Sequence, residues 1–258
     1  MTAATDADLD GAITAFAGVP RILIALDFDG TLAPEVDVPA DARALPEARA
    51  AIDALRALPD TVVALVSGRS LESLAHVAQS DDDLPLVGSH GLEVRLAAGD
   101  VRPAATDDDR ARVDALITRI APLVEAVEGA WIERKPAGFA VHTRVVDAVA
   151  ERVLLATVRE LAATVDPEMT VRDGKNLIEF SARDATKGDG LRILREAFDV
   201  DAVLFAGDDV TDEDALAVLV AGDVGIKVGP QDTVAAYRVH SPSDMAAVLA
   251  RIADVRAG

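Results

Sequence analysis

Residues 21–31 read RILIALDFDGT, a nearly unbroken apolar run that gives way at once to Asp27-Phe28-Asp29-Gly30-Thr31. A short aliphatic run without polar alternation has no solvent face, and it fits a strand covered on both sides in a parallel sheet. TVVALV (61–66), which ends at Ser67-Gly68, and AVLFAG (202–207), which ends at Asp208-Asp209, have the same form. The short runs LPLVGS and DVGIKV extend the series. Helix-forming stretches fall between the runs, at about 41–58, 70–79, 187–198 and 212–220, with a last one from Ser243. Strand alternating with helix predicts a doubly wound, Rossmann-like α/β core on a parallel sheet.

The rhythm breaks near residue 104. A helix over Arg110–Val127 leads into WIERKPAGFAVHTR, two strand-like runs joined by a Pro-Ala-Gly turn. A second helix, Asp147–Ala163, leads into MTVRDGKNLIEFSA, two more runs around Asp173-Gly174, and Asp-Gly between alternating runs is a strong hairpin signal. Helix then hairpin, twice over, predicts an inserted α/β cap domain built on an antiparallel sheet. The expected division is core 1–103, cap 104–182 and core 183–258.

Composition narrows the function. Of 258 residues 50% are apolar and 27% charged, which favours a packed core over disorder. Asp and Glu number 45 against 25 Lys and Arg, a net charge of −20 that repels nucleic acid phosphates. Six Phe, one Tyr and one Trp are too few for a base-stacking platform. The absence of cysteine excludes thiol catalysis, disulfides and Cys-ligated zinc. No apolar run approaches the roughly 20 residues that span a bilayer, and the acidic start MTAATDADLD lacks the basic opening of a secretory signal. The expectation is a cytoplasmic monomer with no nucleic acid or membrane partner.

In an open parallel sheet, ligands bind beyond the carboxyl ends of the strands. Residues two apart in extended chain point the same way, so Asp27 and Asp29 face one crevice. Gly30 permits a tight turn, and the Gly30-Thr31 N–H groups are candidates for holding an anion. Ser67 adds a hydroxyl at the second strand end, Asp208, Asp209 and Asp212 follow the third, and Lys187 opens the helix before it. Each alone has a plainer reading: an Asp caps a turn, Ser-Gly begins a loop, a lysine is solvated, an acidic run starts a helix. Together, in this order at one sheet edge, they make a site. Crowded carboxylates without His or Cys suit Mg²⁺. With a lysine and a hydroxyl beside them, phosphoryl transfer is the natural reaction class. Asp27 would attack phosphorus to form an aspartyl-phosphate, while Asp29 would protonate the leaving alcohol and then activate water. The chain contains no GxxxxGK[ST], GxSxG or HExxH.

LDFDGTLAP, LVSGRS, the ATKGDGL lysine and GDDVTDEDAL resemble, in order, the four motifs of the haloacid-dehalogenase-like phosphatase superfamily. Within it, LDFDGTLAP, SGRS, GSHGLE, the Glu-x-Lys of WIERKPAGFAVHTR and GKNLIEF look like trehalose-6-phosphate phosphatases. The resemblance implies Asp27 as nucleophile, Asp29 as acid/base, and Ser67 and Lys187 on the phosphoryl group. It implies a Mg²⁺ held by the Asp27 and Asp208 carboxylates and the Asp29 carbonyl, with Asp209 and Asp212 in outer support. It also implies that Glu133, Lys135 and Glu179 grip sugar hydroxyls. Spacing agrees, because Glu133 and Lys135 share a strand face while Ile178 and Phe180 point away from Glu179. Apolar residues would pack on the cap helices and polar ones would face the core.

Other residues are read more plainly. Trp131 is expected in the cap core, His90 in a positioning or core role, and Asp81–Asp83 and Asp107–Asp109 as solvated charges. His142 and Arg144 share a face, with a structural or surface role as good as any. The leading reading is a phosphatase for a small sugar phosphate, trehalose 6-phosphate. The rivals are another sugar-phosphate phosphatase, such as one for sucrose phosphate, a phosphomutase, and a non-catalytic phosphosugar-binding regulator.

Overall fold

The computed structural model describes residues 6–36, 38–97, 99–102, 105–135, 137–174 and 176–258. The chain forms two compact units, Met1–Arg102 with Ala185–Gly258, and Pro103–Asp184. The expected boundary at 103–104 falls outside the described residues, and the return to the larger unit comes at Ala185 rather than at 183.

The larger unit opens with α1 (Asp6–Ala17), β1 (Ile22–Leu26), α2 (Pro46–Arg56), β2 (Thr61–Val66) and α3 (Leu71–Ala78). It continues with β3 (Leu86–Gly88), β4 (Glu93–Ala97) and β5 (Asp100–Arg102). The smaller unit follows as α4 (Asp107–Glu125), β6 (Trp131–Lys135), β7 (Gly138–His142), α5 (Ala148–Val165), β8 (Thr170–Gly174) and β9 (Leu177–Ser181). The chain then returns through α6 (Lys187–Phe198), β10 (Ala202–Gly207), α7 (Glu213–Leu216), β11 (Val224–Val228), β12 (Tyr237–Val239) and α8 (Pro242–Ala257).

Eight strands form the large sheet in the order β12-β11-β10-β1-β2-β3-β4-β5. Pairing is parallel from β12 to β3 and antiparallel from β3 to β5. All five residues of β1 are buried. Ile22, Ile24 and Leu26 join a cluster with α1, α2, α3 and α8, while Leu23 and Ala25 join another with α6 and α7. At about 1.5–3 kcal/mol per buried aliphatic side chain, this two-sided cover fixes β1 firmly. The chain leaves β1 toward β2 on one side and comes back to β10 on the other. The end of β1 is therefore the place where strand order reverses, the usual ligand position in such sheets.

Three local expectations for the core change, the first being the helix over 212–220, which is reduced to α7, Glu213–Leu216. The helix expected over 41–58 is shorter: a 3₁₀ turn at Pro39–Asp41 precedes α2, which starts only at Pro46. Leu45 is extended because it precedes proline, and Pro46 suits the first helical position, where no N–H is needed. The antiparallel pair β4–β5, not anticipated, extends the sheet past β3.

The smaller unit carries a four-stranded antiparallel sheet in the order β6-β7-β9-β8. Phe139, Val141, Ile178 and Phe180 pack on Leu116 and Ile120 of α4 and Leu154 and Val158 of α5. Asp173-Gly174 does not form the turn. Asp173 pairs with Ile178 and Gly174 with Leu177, which moves the loop to residues 175–176. Lys175, like Pro136 of the first hairpin's expected turn, lies outside the described residues; Asn176 takes the left-handed φ of 60° that the loop requires. A turn at 173–174 would set Glu168 opposite Glu179, whereas the observed register sets Arg172 there. Asp109 is a second correction. It is buried rather than solvated, because it closes a capping box with Thr106 at the start of α4. Among the described residues, no helix is long and apolar enough to cross a membrane.

Candidate active site

Asp27 extends β1 by one residue, and its N–H donates to the Ala206 carbonyl at 2.9 Å, which pins it beside the end of β10. The chain then folds back on itself. The Gly30 N–H reaches the Ala33 carbonyl at 2.8 Å, and the Leu32 and Ala33 N–H groups both reach the Phe28 carbonyl at 2.9 Å. Gly30 has φ +77°, and a Cβ there would lie 2.1 Å from Asp208 Oδ2. Only glycine allows this turn to close against Asp208.

Lys187, at the first turn of α6, is 3% exposed and stands between two carboxylates. Its Nζ donates to Asp27 Oδ1 at 2.7 Å and to Asp212 Oδ1 at 2.6 Å. Asp212 is fully buried, and its Oδ2 accepts the Asp209 N–H at 2.9 Å. Room for that carboxyl exists because Gly207 lacks a Cβ, which would lie 2.2 Å from Asp212 Cγ. Asp27, Asp208 and Asp212 each offer an oxygen within 4.8 Å of the others. Thr31 Oγ1 donates to Asp208 Oδ1 at 3.4 Å.

The electrostatics follow from crowding. Burial pushes Asp27 well above the usual carboxylate range; Lys187 opposes this, and the charges of Asp212 and Asp208 add to it. Burial, then the Asp212 charge, pushes Asp208 up to about 6. Burial works against the charge of Lys187, but Asp27 and Asp212 outweigh it and raise its pKa. Three carboxylates facing one ammonium leave the cluster short of positive charge. Its donors are oxygen alone, a set that fits a hard cation such as Mg²⁺.

The Asp29 carboxylate lies outside that cluster. Arg69 holds it, with Nε to Oδ2 at 2.6 Å and Nη2 to Oδ1 at 2.7 Å. Ser67 is 2% exposed; its N–H donates to the Val87 carbonyl at 2.9 Å and its Oγ accepts the Arg69 N–H at 3.1 Å. Asp209 caps the 3₁₀ turn Val210–Asp212 by accepting the Val210 N–H at 2.7 Å. Arg69 has no role in the sequence reading, although SGRS places a cation two residues past Ser67. His90 has φ 56° and lies against Gly68, where a Cβ would be 2.5 Å from the ring. Asp81 is tied to Arg56 by two hydrogen bonds of 2.7 and 2.9 Å.

In the smaller unit, Glu133, Lys135 and Glu179 share the sheet face opposite the apolar cluster. Lys135 Nζ donates to Glu179 Oε2 at 2.8 Å, and Glu133 Oε2 lies 2.7 Å from His142 Nε2. His142 in turn stacks on Trp131, with ring centroids 3.8 Å apart. Trp131 is therefore not in the cap core: it is 47% exposed, because alternation along β6 sets it on the face of Glu133 and Lys135. Arg144 is exposed.

The family model described as trehalose-phosphatase matches residues 25–246. A trehalose-6-phosphate phosphatase of Escherichia coli (strain K12) is 30% identical over 223 residues, 85% of this chain and 82% of that protein. A bifunctional trehalose-6-phosphate synthase/phosphatase of Thermoproteus tenax is 32% identical over 228 residues, 87% of this chain, and the match spans only 31% of that longer protein. The solved structure of Aspergillus fumigatus trehalose-6-phosphate phosphatase superposes with a TM-score of 0.75 at 25% identity, covering 98% of this chain and 99% of that one.

Proposed function

The chain belongs to the trehalose-phosphatase family, and from that premise we propose that it hydrolyses trehalose 6-phosphate to trehalose and phosphate, with Mg²⁺ as cofactor and Asp27 as nucleophile. The observation that carries the reading is the Lys187 ammonium shared by Asp27 and Asp212, with Asp208 closed against Gly30 beside them.

The Asp27 and Asp208 carboxylates and the Asp29 carbonyl would hold Mg²⁺, which would supply positive charge to the phosphoryl group. Asp212 gives its oxygens to Lys187 and to the Asp209 N–H, so its part is to orient the lysine. Lys187, the Ser67 hydroxyl and the Thr31 N–H hold the phosphoryl oxygens, whereas the Gly30 N–H, expected to join them, is already given to the Ala33 carbonyl. An Asp27 oxygen attacks phosphorus, and the bond from phosphorus to the sugar oxygen breaks as Asp29 gives that oxygen its proton. Asp29, now a carboxylate, takes a proton from a water molecule whose oxygen attacks phosphorus. The bond to Asp27 breaks, phosphate departs, and Asp29 is protonated again. Glu133, Lys135 and Glu179 read the sugar hydroxyls.

Phosphate release from trehalose 6-phosphate, sucrose phosphate and a small aryl phosphate, with Mg²⁺ or with excess chelator, tests the proposal. Turnover should favour trehalose 6-phosphate and vanish in chelator. A preference for sucrose phosphate, or full activity in chelator, overturns it.

A further inference from the structure

β11 carries a charge in a place that usually holds an aliphatic residue. Lys227 is 1% exposed within the strand VGIKV, whose five residues are all buried. Burying an ammonium costs several kcal/mol unless partners recover it, and a Leu or Met would fill such a position without that cost. The partners are specific. Lys227 Nζ donates to the Asp209 carbonyl at 3.0 Å and to Glu213 Oε1 at 2.9 Å. Glu213, at the head of α7, accepts from Thr233 Oγ1 at 3.1 Å and from the Val234 N–H at 2.9 Å through its other oxygen. It is thereby anchored to the segment between β11 and β12.

The loop that bears Asp208 is thus tied to two lysines, directly to Lys227 and, through Asp212, to Lys187. Asp209 is the residue that follows Asp208, and both of its peptide groups are fixed. Its N–H is held by Asp212 Oδ2, whose partner oxygen is on Lys187, and its carbonyl is held by Lys227. We propose that the Lys227–Glu213 pair is a positioning clamp that sets the direction of the Asp208 carboxylate and so the affinity of the cluster for its divalent cation. Lys227 touches neither substrate nor reacting atoms; it acts through the Asp209 carbonyl. The inference rests on the proposed Mg²⁺ site.

The test compares the wild-type chain with Lys227→Met, Lys227→Arg and Glu213→Gln, without substrate and with it. The first readout is the Mg²⁺ concentration at the midpoint of the Mg²⁺-dependent rise in Tm. The second is the Mg²⁺ concentration for half-maximal release of phosphate from a small aryl phosphate. Loss of one charged hydrogen bond predicts that Lys227→Met and Glu213→Gln raise both midpoints by about tenfold or more. The midpoints should move further than kcat at saturating Mg²⁺, and Lys227→Arg should restore part of the affinity. If Lys227→Met does not fold, Glu213→Gln, which keeps the packing and one neutral hydrogen bond, carries the same expectation. Variants with a lower Tm but unmoved midpoints overturn the clamp, as does a loss confined to kcat at saturating Mg²⁺. A wild-type chain whose Tm does not respond to Mg²⁺ would instead remove the metal reading on which the clamp depends.

Discussion

Arg69 grips Asp29 through two hydrogen bonds, 2.6 and 2.7 Å long, while its own N–H reaches Ser67 Oγ at 3.1 Å. One residue thus joins the ends of β1 and β2 and fixes the side chain proposed to carry the proton. A carboxylate held on both oxygens can only accept, so Arg69 must loosen its hold whenever Asp29 takes up a proton. Arg69→Ala should lower kcat/KM about 10- to 100-fold, the worth of a charged hydrogen-bond pair. The loss should be equal for trehalose 6-phosphate and a small aryl phosphate, because in the proposed mechanism Asp29 serves any leaving group. Arg69→Lys should recover little, since an ammonium cannot reproduce the two-pronged contact. An Arg69→Ala rate close to wild type would show that Asp29 needs no such support.

Lys187 and Asp27 should respond to substitution in opposite ways. Asp27→Asn removes one of three crowded carboxylates, so the fold should survive while turnover falls by several orders of magnitude. Lys187→Met leaves buried Asp27 and Asp212 without their shared cation, at a cost of about 3–5 kcal/mol. Urea unfolding of both variants, with phosphate release, checks the pair. A stable Lys187→Met protein, or an Asp27→Asn protein with more than about a tenth of the wild-type rate, which is 1.4 kcal/mol of barrier, contradicts the assignment.

What the sequence discloses about this site follows from where each residue sits. Asp27, Ser67, Asp208 and Lys187 can be read because they mark the ends of apolar strands or the start of a helix, where chain order alone brings them to one edge. Lys227 is hidden for the converse reason: DVGIKV reads as a buried strand, and nothing local reveals that its lysine spans to Asp209 and Glu213. Arg69 is visible in SGRS, but its partner lies 40 residues away in sequence. Asp173-Gly174 fails as a turn because cross-strand pairing, with Arg172 opposite Glu179, outweighs the local preference. Trp131 is misjudged on hydrophobicity, although the alternation that joins Glu133 to Lys135 already sets it on their face.

The smaller unit should lose an acid-sensitive tie when Asp166 is changed. Arg112 donates to both Asp166 oxygens, at 2.8 and 2.9 Å, and these hydrogen bonds hold the Asp166 carboxyl below its usual range although burial works the other way. A pKa depressed in the folded state means that folding releases protons in that range. The stabilisation is therefore full above the unfolded value of about 3.9 and disappears as pH falls through the folded one. Asp166→Asn should cost about 1–3 kcal/mol near neutral pH, and its gap from wild type should close in strong acid. Fluorescence of Trp131, the single tryptophan, reports unfolding of this unit. A gap that stays constant with pH would mean that the carboxylate charge contributes nothing.

The polar face of the cap sheet bears the heaviest burden in the proposal, because a phosphoryl site alone does not distinguish one alcohol from another. Glu133 and Lys135 are held on that face by His142 and Glu179, so their polar atoms are ordered before any sugar arrives. Buried or ordered polar groups left unpaired by the wrong substrate give strong selectivity, whereas apolar contact gives little. Glu133→Ala, Lys135→Ala and Glu179→Ala should each lower kcat/KM for trehalose 6-phosphate by about tenfold or more, at roughly 1.5–3 kcal/mol per charged hydrogen bond. Rates on a small aryl phosphate, which has no sugar hydroxyls to lose, should stay nearly unchanged. Trp131→Ala should fall on the same side of this comparison, since the ring stacks on the His142 that fixes Glu133. Equal losses on both substrates would point to damage in the fold rather than to lost sugar contacts. No loss on either would mean that other residues read the sugar, and the case for the disaccharide would then rest on family membership alone.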